Sequence, residues 1–224
     1  MDSVGGGFRP PLLVRANRRF RPLYVRRWKR VFDLALAVPL FVMLAPLMAM
    51  LLAVVSLDGS NPLFSQNRVG RGGRIFRCWK IRSMVTDASE RLAQLLASDP
   101  AAAAEWAEDQ KLTDDPRITR IGGFLRRTSL DEMPQLWNVI VGDMSLVGPR
   151  PVLEEELQRY GVHSATYKSL SPGLTGPWQV KARNTVSYDE RVMMDASYAR
   201  YYSLLGDLYL VLMTAVSVVL RTGR

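Results

Sequence analysis

LALAVPLFVMLAPLMAMLLAVVSL, residues 34 to 57, runs for 24 residues without a charged side chain. As a helix it would extend about 36 Å, enough to cross a hydrocarbon core. Its flanks argue against a crossing. Arg26, Arg27, Lys29 and Arg30 precede it, and Arg68, Arg71, Arg74, Arg77, Lys80 and Arg82 follow it. Cationic flanks are retained on the cytoplasmic side, so both ends call for the same face. Pro46, near the middle, removes a helix hydrogen bond and costs roughly 3 kcal/mol unless the helix bends. These features predict a re-entrant helix–break–helix over residues 29–58 that enters one leaflet and returns, with the membrane bend at Pro46 and a second kink at Pro39. A kinked single span is the competing reading.

Upstream, residues 1–28 read as a basic arm, disordered or surface-lying, rich in Gly, Arg and Pro, with no apolar periodicity and no signal-peptide cleavage pattern. Residues 1–30 hold nine Lys or Arg against the single acid Asp2, within a net charge of +9 and a pI near 10.0. That balance calls for a polyanionic partner: nucleic acid, anionic lipid or a phosphorylated substrate. One cysteine, Cys78, rules out an internal disulfide, and one histidine, His163, makes a Cys/His zinc site implausible. Any chemistry must come from carboxylates, lysines and arginines.

Downstream, residues 59–224 read as one domain, mainly α with a small β-hairpin, an α+β class. The hairpin covers residues 62–82, turning at Gly70-Arg71-Gly72-Gly73, and its arginines are expected at the membrane surface. Neither a Walker pattern nor GxGxxG is present, so the glycines make a turn and not a phosphate loop. Two helices follow over 86–112, the second restarted by Asp99-Pro100. Asp114-Asp115-Pro116-Arg117 is a turn, and Ile118 to Arg127 a helix in which Gly122-Gly123 permits close backbone approach. Ser187-x-x-Glu190 caps a helix bearing Asp195 and Tyr198. Residues 204–220, interrupted by Asp207, suit a helix lying in the membrane interface.

Residues 126–151, RRTSLDEMPQLWNVIVGDMSLVGPRP, carry the candidate chemistry. Ser129 or Asp131 can cap a helix running through Leu136, Trp137 and Ile140, with Pro134 in its first turn. Unpaired N–H groups there favour phosphate and keep a nearby carboxylate ionised, so Asp131 would be a ready nucleophile. A plain capping box, Ser129 with Glu132, explains the same pattern. Arg150, held between Pro149 and Pro151, suits a fixed guanidinium gripping phosphate. A second restricted loop, Ser171 to Gln179, carries Trp178 and leads to Lys181 and Arg183, an arrangement able to hold a nucleobase and its phosphates.

Taken together, KRVFD, FSQNRVGRGGRIFRCWKIRSM, TDDPRITRIGGFLRRTSLDEMPQLWNVIVGDMSLVGPRP, SPGLTGPWQV and SYDERV closely resemble the bacterial sugar transferase family of monotopic polyprenyl-phosphate phosphoglycosyl transferases. The match covers about Lys29 to Leu220 and is nearest to the short members that begin exopolysaccharide synthesis. The resemblance implies transfer of galactose or glucose 1-phosphate from a UDP-sugar to undecaprenyl phosphate, releasing UMP, through a covalent phospho-sugar aspartate and with Mg²⁺. It implies Asp131 as nucleophile and Glu132 as its partner acid, acting on the metal or on a proton, with either acid as a metal ligand. Lys80, Arg126, Arg150 and Arg183 match residues that bind phosphate or hold the site, and Asp195 matches an acid near those bases. The implied setting is the cytoplasmic face of the bacterial inner membrane, among membrane lipid, with downstream glycosyltransferases and self-association open. KIRSM stands for the usual KFRSM, Ala45 for a serine before Pro46, and Ala182 for a glycine before Arg183; Pro177 enters the GLTG loop. A non-enzymatic basic protein bound to membrane or nucleic acid is the alternative, although the chain has no recognisable nucleic-acid fold.

Overall fold

The computed structural model describes residues 28–109, 112–181 and 186–219; the basic arm, except for Trp28, and Arg183 lie outside them. The long apolar stretch forms α1, Lys29–Val55, a helix of 27 residues and about 40 Å. The expected break at Pro46 is absent: α1 continues through both Pro39 and Pro46. A proline deletes only one hydrogen bond from the ladder, and packing on either side holds the two halves in one helix. Leu40, Phe41 and Leu44 pack on the main core, and Leu47, Met48, Leu51, Leu52 and Val55 on a second cluster with Ile81, Leu125 and Met133. Val38, Val42, Met43, Met50 and Val54 on the other side are exposed.

Both ends of α1 are tied to the same body. At the start, Arg30 donates to the Val139 and Ile140 carbonyls (2.5 and 2.7 Å), and at the end Arg82 donates to the Val55 carbonyl (3.0 Å). Lys29 lies 2.7 Å from Asp207 and 3.5 Å from Asp33, both acids buried. Asp33 in turn accepts from the Leu146 amide and the Ser145 hydroxyl, each at 3.0 Å.

The hairpin forms as the glycine pattern predicts. β1 (Leu63–Val69) pairs antiparallel with β2 (Ile75–Ile81), from Leu63 opposite Ile81 to Val69 opposite Ile75, and Gly72 and Gly73 turn with φ of 72° and 83°. Arg71, Arg74 and Arg77 are exposed, whereas Arg68 and Arg82 lie largely against the chain. Arg68 pairs with Glu156, Arg74 with Asp143 and Arg82 with Asp58, so these charges are neutralised within the chain. Then come α2 (Ala88–Ser98) and α3 (Pro100–Asp109), split as expected where Asp99 accepts from the Ala101 and Ala102 amides.

α4 (Arg120–Thr128) and α5 (Gln135–Val141) flank the acidic pair. Asn138, on α5, completes the free edge of β2: its side chain accepts from Trp79 N and donates to the Arg77 carbonyl, 3.1 and 2.7 Å. The two rigid loops read separately from the sequence join through a parallel pair, β3 (Ser145–Val147) with β4 (Gly173–Thr175). A Cβ on Gly173 would lie 2.1 Å from Gly148 N, so this crossing requires glycine. Short helices α6 (Glu154–Gln158), α7 (Ser164–Lys168) and α8 (Pro177–Lys181) surround the pair. α9 (Tyr188–Tyr201) opens with the expected Ser187–Glu190 capping box, and α10 (Leu204–Val219) exposes Leu205, Leu208, Leu212 and Val216 while burying Asp207.

Replacing Lys29 by Met leaves Asp33 and Asp207 buried without their cation, and an uncompensated buried charge costs about 3–5 kcal/mol. Denaturant unfolding of Lys29→Met in detergent should show a loss of that size; an unchanged midpoint would contradict the bridge.

Candidate active site

The acidic pair sits in a tight 3₁₀ turn, Leu130–Glu132, between α4 and α5. The expected capping box does not form. Ser129 closes α4 in the left-handed region (φ 57°) and its side chain caps nothing, while Pro134 takes the N-cap position of α5. Asp131 is thus presented by a turn and not by a helix N-terminus.

Three of the expected residues meet directly. Lys80 Nζ, from the last turn of β2, lies 2.7 Å from Glu132 Oε1 and 3.7 Å from Asp131 Oδ2. Arg126, in the last turn of α4, acts on Asp131 through its charge and is aimed by a hydrogen bond from Nε to Ser83 Oγ, 2.9 Å. Asp131 is only 6% exposed. Burial pushes its carboxyl above the usual carboxylate range, against the pull of Lys80, with Glu132 adding to the rise and Arg126 opposing it. The sequence reading expected an acid held ionised by a helix start; desolvation instead makes it a more basic carboxylate, hence a better nucleophile once ionised.

KIRSM places each of its residues. Ile81 is buried with Leu125 and Met133, Arg82 clasps Val55 and Asp58, Ser83 receives Arg126, and Met84 bridges to Ile118. Gly122 makes this possible, because a Cβ there would stand 1.9 Å from the Ser83 carbonyl oxygen. Ser83 and Gly122 were missed as site residues, although their place beside Lys80 and Arg126 in the quoted motifs was a signal.

Arg150 and Asp195 form a neighbouring group. The loop carrying Arg150 is pinned by Gly148 N to Thr175 O (2.9 Å), Gly173 N to Pro149 O (2.8 Å) and Val69 N to Val152 O (2.9 Å). Its guanidinium lies 5.9 Å over the Trp178 ring, which Arg191 also approaches at 5.1 Å. Arg68, unassigned by the sequence reading, supports the loop through Pro151 O and Glu156. Asp195 is buried and accepts from Tyr160. Cys78 links the two groups, since its thiol feels Lys80 and Glu132 on one side and Arg68 and Arg150 on the other; burial pushes it up, which makes it a poor nucleophile.

Among the described residues no cluster of three or more His, Cys, Asp or Glu could hold a metal. Asp131 and Glu132 nonetheless supply adjacent hard oxygen donors, and Mg²⁺ characteristically takes one or two carboxylates and completes its shell with phosphate and water. The donor set therefore fits such an ion, with Lys80 having to yield part of its contact to Glu132.

Buried Asp131 and half-buried Glu132 thus lie beside Lys80 and Arg126, on a body that carries a long and largely exposed apolar helix. Residues 24–221 match the family model of bacterial sugar transferases, and the chain belongs to that family. It is 48% identical over 212 residues to a UDP-galactose-lipid carrier transferase of Erwinia amylovora, and 45% identical over 212 to an undecaprenyl-phosphate galactose phosphotransferase of Salmonella typhimurium. Each alignment takes in 95% of this chain but 44% of the relative, so the chain spans less than half the length of either. With the exopolysaccharide production protein ExoY of Rhizobium meliloti it shares 42% identity over 196 residues, 87% of both chains.

Gly122→Ala should destabilise by about 1–3 kcal/mol through overpacking against Ser83, read as a lowered unfolding midpoint. Asp195 yields a pH test. Burial pushes its carboxyl up to about 8, so the folded chain keeps a proton that the unfolded chain releases near the ordinary value. The associated stability is full below roughly pH 4 and disappears as pH rises through the folded value. Relative to Asp195→Asn, the wild type should therefore lose stability as pH is raised from about 5 to about 8.5, measured by urea unfolding at both values.

Proposed function

We propose that this chain transfers a hexose 1-phosphate, galactose or glucose, from a UDP-sugar to undecaprenyl phosphate and releases UMP, as the first membrane step of exopolysaccharide synthesis. The observation that carries the reading is the buried Asp131 held beside Lys80 and Arg126, with Glu132 at its side. A diphosphate repels a carboxylate unless cations neutralise and orient it, a part that Lys80 and Arg126 beside Asp131 are suited to take. The relatives' names carry the same substrates: a lipid carrier and a galactose phosphotransferase.

In the first step an Asp131 oxygen attacks the phosphorus bearing the sugar. A carboxyl–phosphate bond forms, the bond between the two phosphates breaks, and UMP leaves with the electron pair. In the second, an oxygen of undecaprenyl phosphate attacks the same phosphorus and Asp131 leaves as a free carboxylate. Lys80 and Arg126 offset negative charge at the reacting phosphate, while Arg150, and Arg183 by resemblance, hold the remaining phosphates. Asp131 and Glu132 are the residues that would hold Mg²⁺, which when bound supplies further charge neutralisation.

The reading places the chain on the cytoplasmic face of the bacterial inner membrane, with the exposed apolar side of the unbroken α1 seated in the near leaflet. Its support is that both ends of α1 are fastened to one body while the outer side of the helix, with the stripe on α10, is apolar and exposed. A helix fastened at both ends cannot put one of them across the bilayer without the body following.

Asp131→Asn should abolish exchange of labelled UMP into UDP-sugar without lipid acceptor; retained exchange would refute the covalent step. Lys80→Met should lower kcat by about 10²–10³-fold, as expected for loss of one electrostatic stabiliser. Cysteines placed at Phe20 and Ser65 should both label only from the cytoplasm, whereas opposite-side labelling means a true span.

A further inference from the structure

Tyr160, two residues beyond α6, is held more tightly than a space-filling side chain requires. Its ring meets Tyr167 edge-on at 5.1 Å and Tyr188 at 6.2 Å, and its hydroxyl donates to Asp195 Oδ2 at 2.9 Å. The other carboxylate oxygen, Oδ1, is buried without a hydrogen-bond partner among the described residues. A carboxylate placed for stability alone would have both oxygens satisfied. The groups that face Asp195 are the Tyr160 hydroxyl, the Arg150 guanidinium from the loop after β3, Tyr167 on α7 and Tyr188 on its own helix, with Arg191 one turn before it. Arg150 is the cation whose charge acts on the carboxyl. Prolines and backbone hydrogen bonds fix the Arg150 main chain, while its guanidinium lies over the Trp178 face within electrostatic reach of Asp195, with no hydrogen bond to another described residue.

We propose that Tyr160 is a positioning residue: its hydroxyl holds Asp195 as the fixed counter-charge of Arg150 and thereby keeps the Arg150 guanidinium oriented toward the donor phosphate. The inference rests on the transferase reading, which places Arg150 on the substrate. The hydrogen bond from Tyr160 and the charge of Arg150 both favour the ionised carboxylate against burial, which pushes the group up to about 8. Removal of the hydroxyl withdraws one of those two supports, so Asp195 keeps its proton to higher pH and Arg150 loses its guide.

The test compares pH profiles of kcat/KM for UDP-sugar. In the wild type the rate should rise through about pH 8, where Asp195 ionises. In Tyr160→Phe that limb should move up by about one pH unit, with activity recovered at high pH. Tyr167→Phe is the control, because that hydroxyl donates to Val69 O, accepts from Val152 N and makes no hydrogen bond to Asp195; its limb should stay in place. Equal loss at every pH in Tyr160→Phe, or an equal shift in Tyr167→Phe, would overturn the proposal. The carboxyl band of Asp195, identified in infrared spectra by its loss in Asp195→Asn, gives a readout without turnover. A band that titrates alike in wild type and Tyr160→Phe overturns the positioning role. A band that moves upward in Tyr160→Phe supports it, and absence of lipid product in the wild type then counts against the transferase reading alone.

Discussion

A single ammonium group, Lys29, lies between two buried carboxylates, Asp33 and Asp207, and much of the architecture follows from that bridge. Charges out of water persist only where partners are fixed around them, so the bridge sets α1 and α10 relative to each other. Asp33 uses its remaining capacity on Ser145 and Leu146, which sets β3. β3 ends two residues before the Pro149-Arg150-Pro151 turn. The first helical turn of the apolar segment is therefore mechanically continuous with the arginine proposed to grip substrate.

The same conflict between burial and charge recurs at the site. Asp131 and Asp195 are both buried, and both are pushed up by desolvation although cations stand near each. A fold selected for stability alone would replace such acids by apolar groups. On the proposed reading, retaining them gives a basic carboxylate at the nucleophile and an internal counter-charge for the arginine that holds substrate. If Asp195 guides Arg150 as proposed, the stability it withholds at alkaline pH and that guidance come from one titration, a trade common at functional sites.

Local signals in the sequence were readable where local physics decided the outcome. The glycine turn of the hairpin, the Asp99-Pro100 restart, the Ser187–Glu190 cap and the close approach at Gly122 all formed as their residue types required. The errors came where distant contacts outweighed local preference. Pro46 did not break α1, because core contacts on both sides of it hold the helix together. Ser129 did not cap, because closing α4 put it in the left-handed region. Two of the hairpin arginines, Arg68 and Arg82, fold back on acids 88 and 24 residues away in sequence, which no reading of nearest neighbours could supply.

The sequence by itself determined the apolar helix, the hairpin, the family through its ordered motifs, and the residue types at Lys80, Arg126, Asp131, Glu132, Arg150 and Asp195. The helix and the hairpin follow from composition, periodicity and spacing, and the family and the site residues from the resemblance of the ordered motifs. Only the tertiary structure decided that Asp131 sits in a buried turn against Lys80, that Ser83 aims Arg126, that Tyr160 holds Asp195, and that α1 is fastened at both ends. Each of these depends on desolvation or on contacts between residues far apart in the chain, and neither exists until the chain is folded.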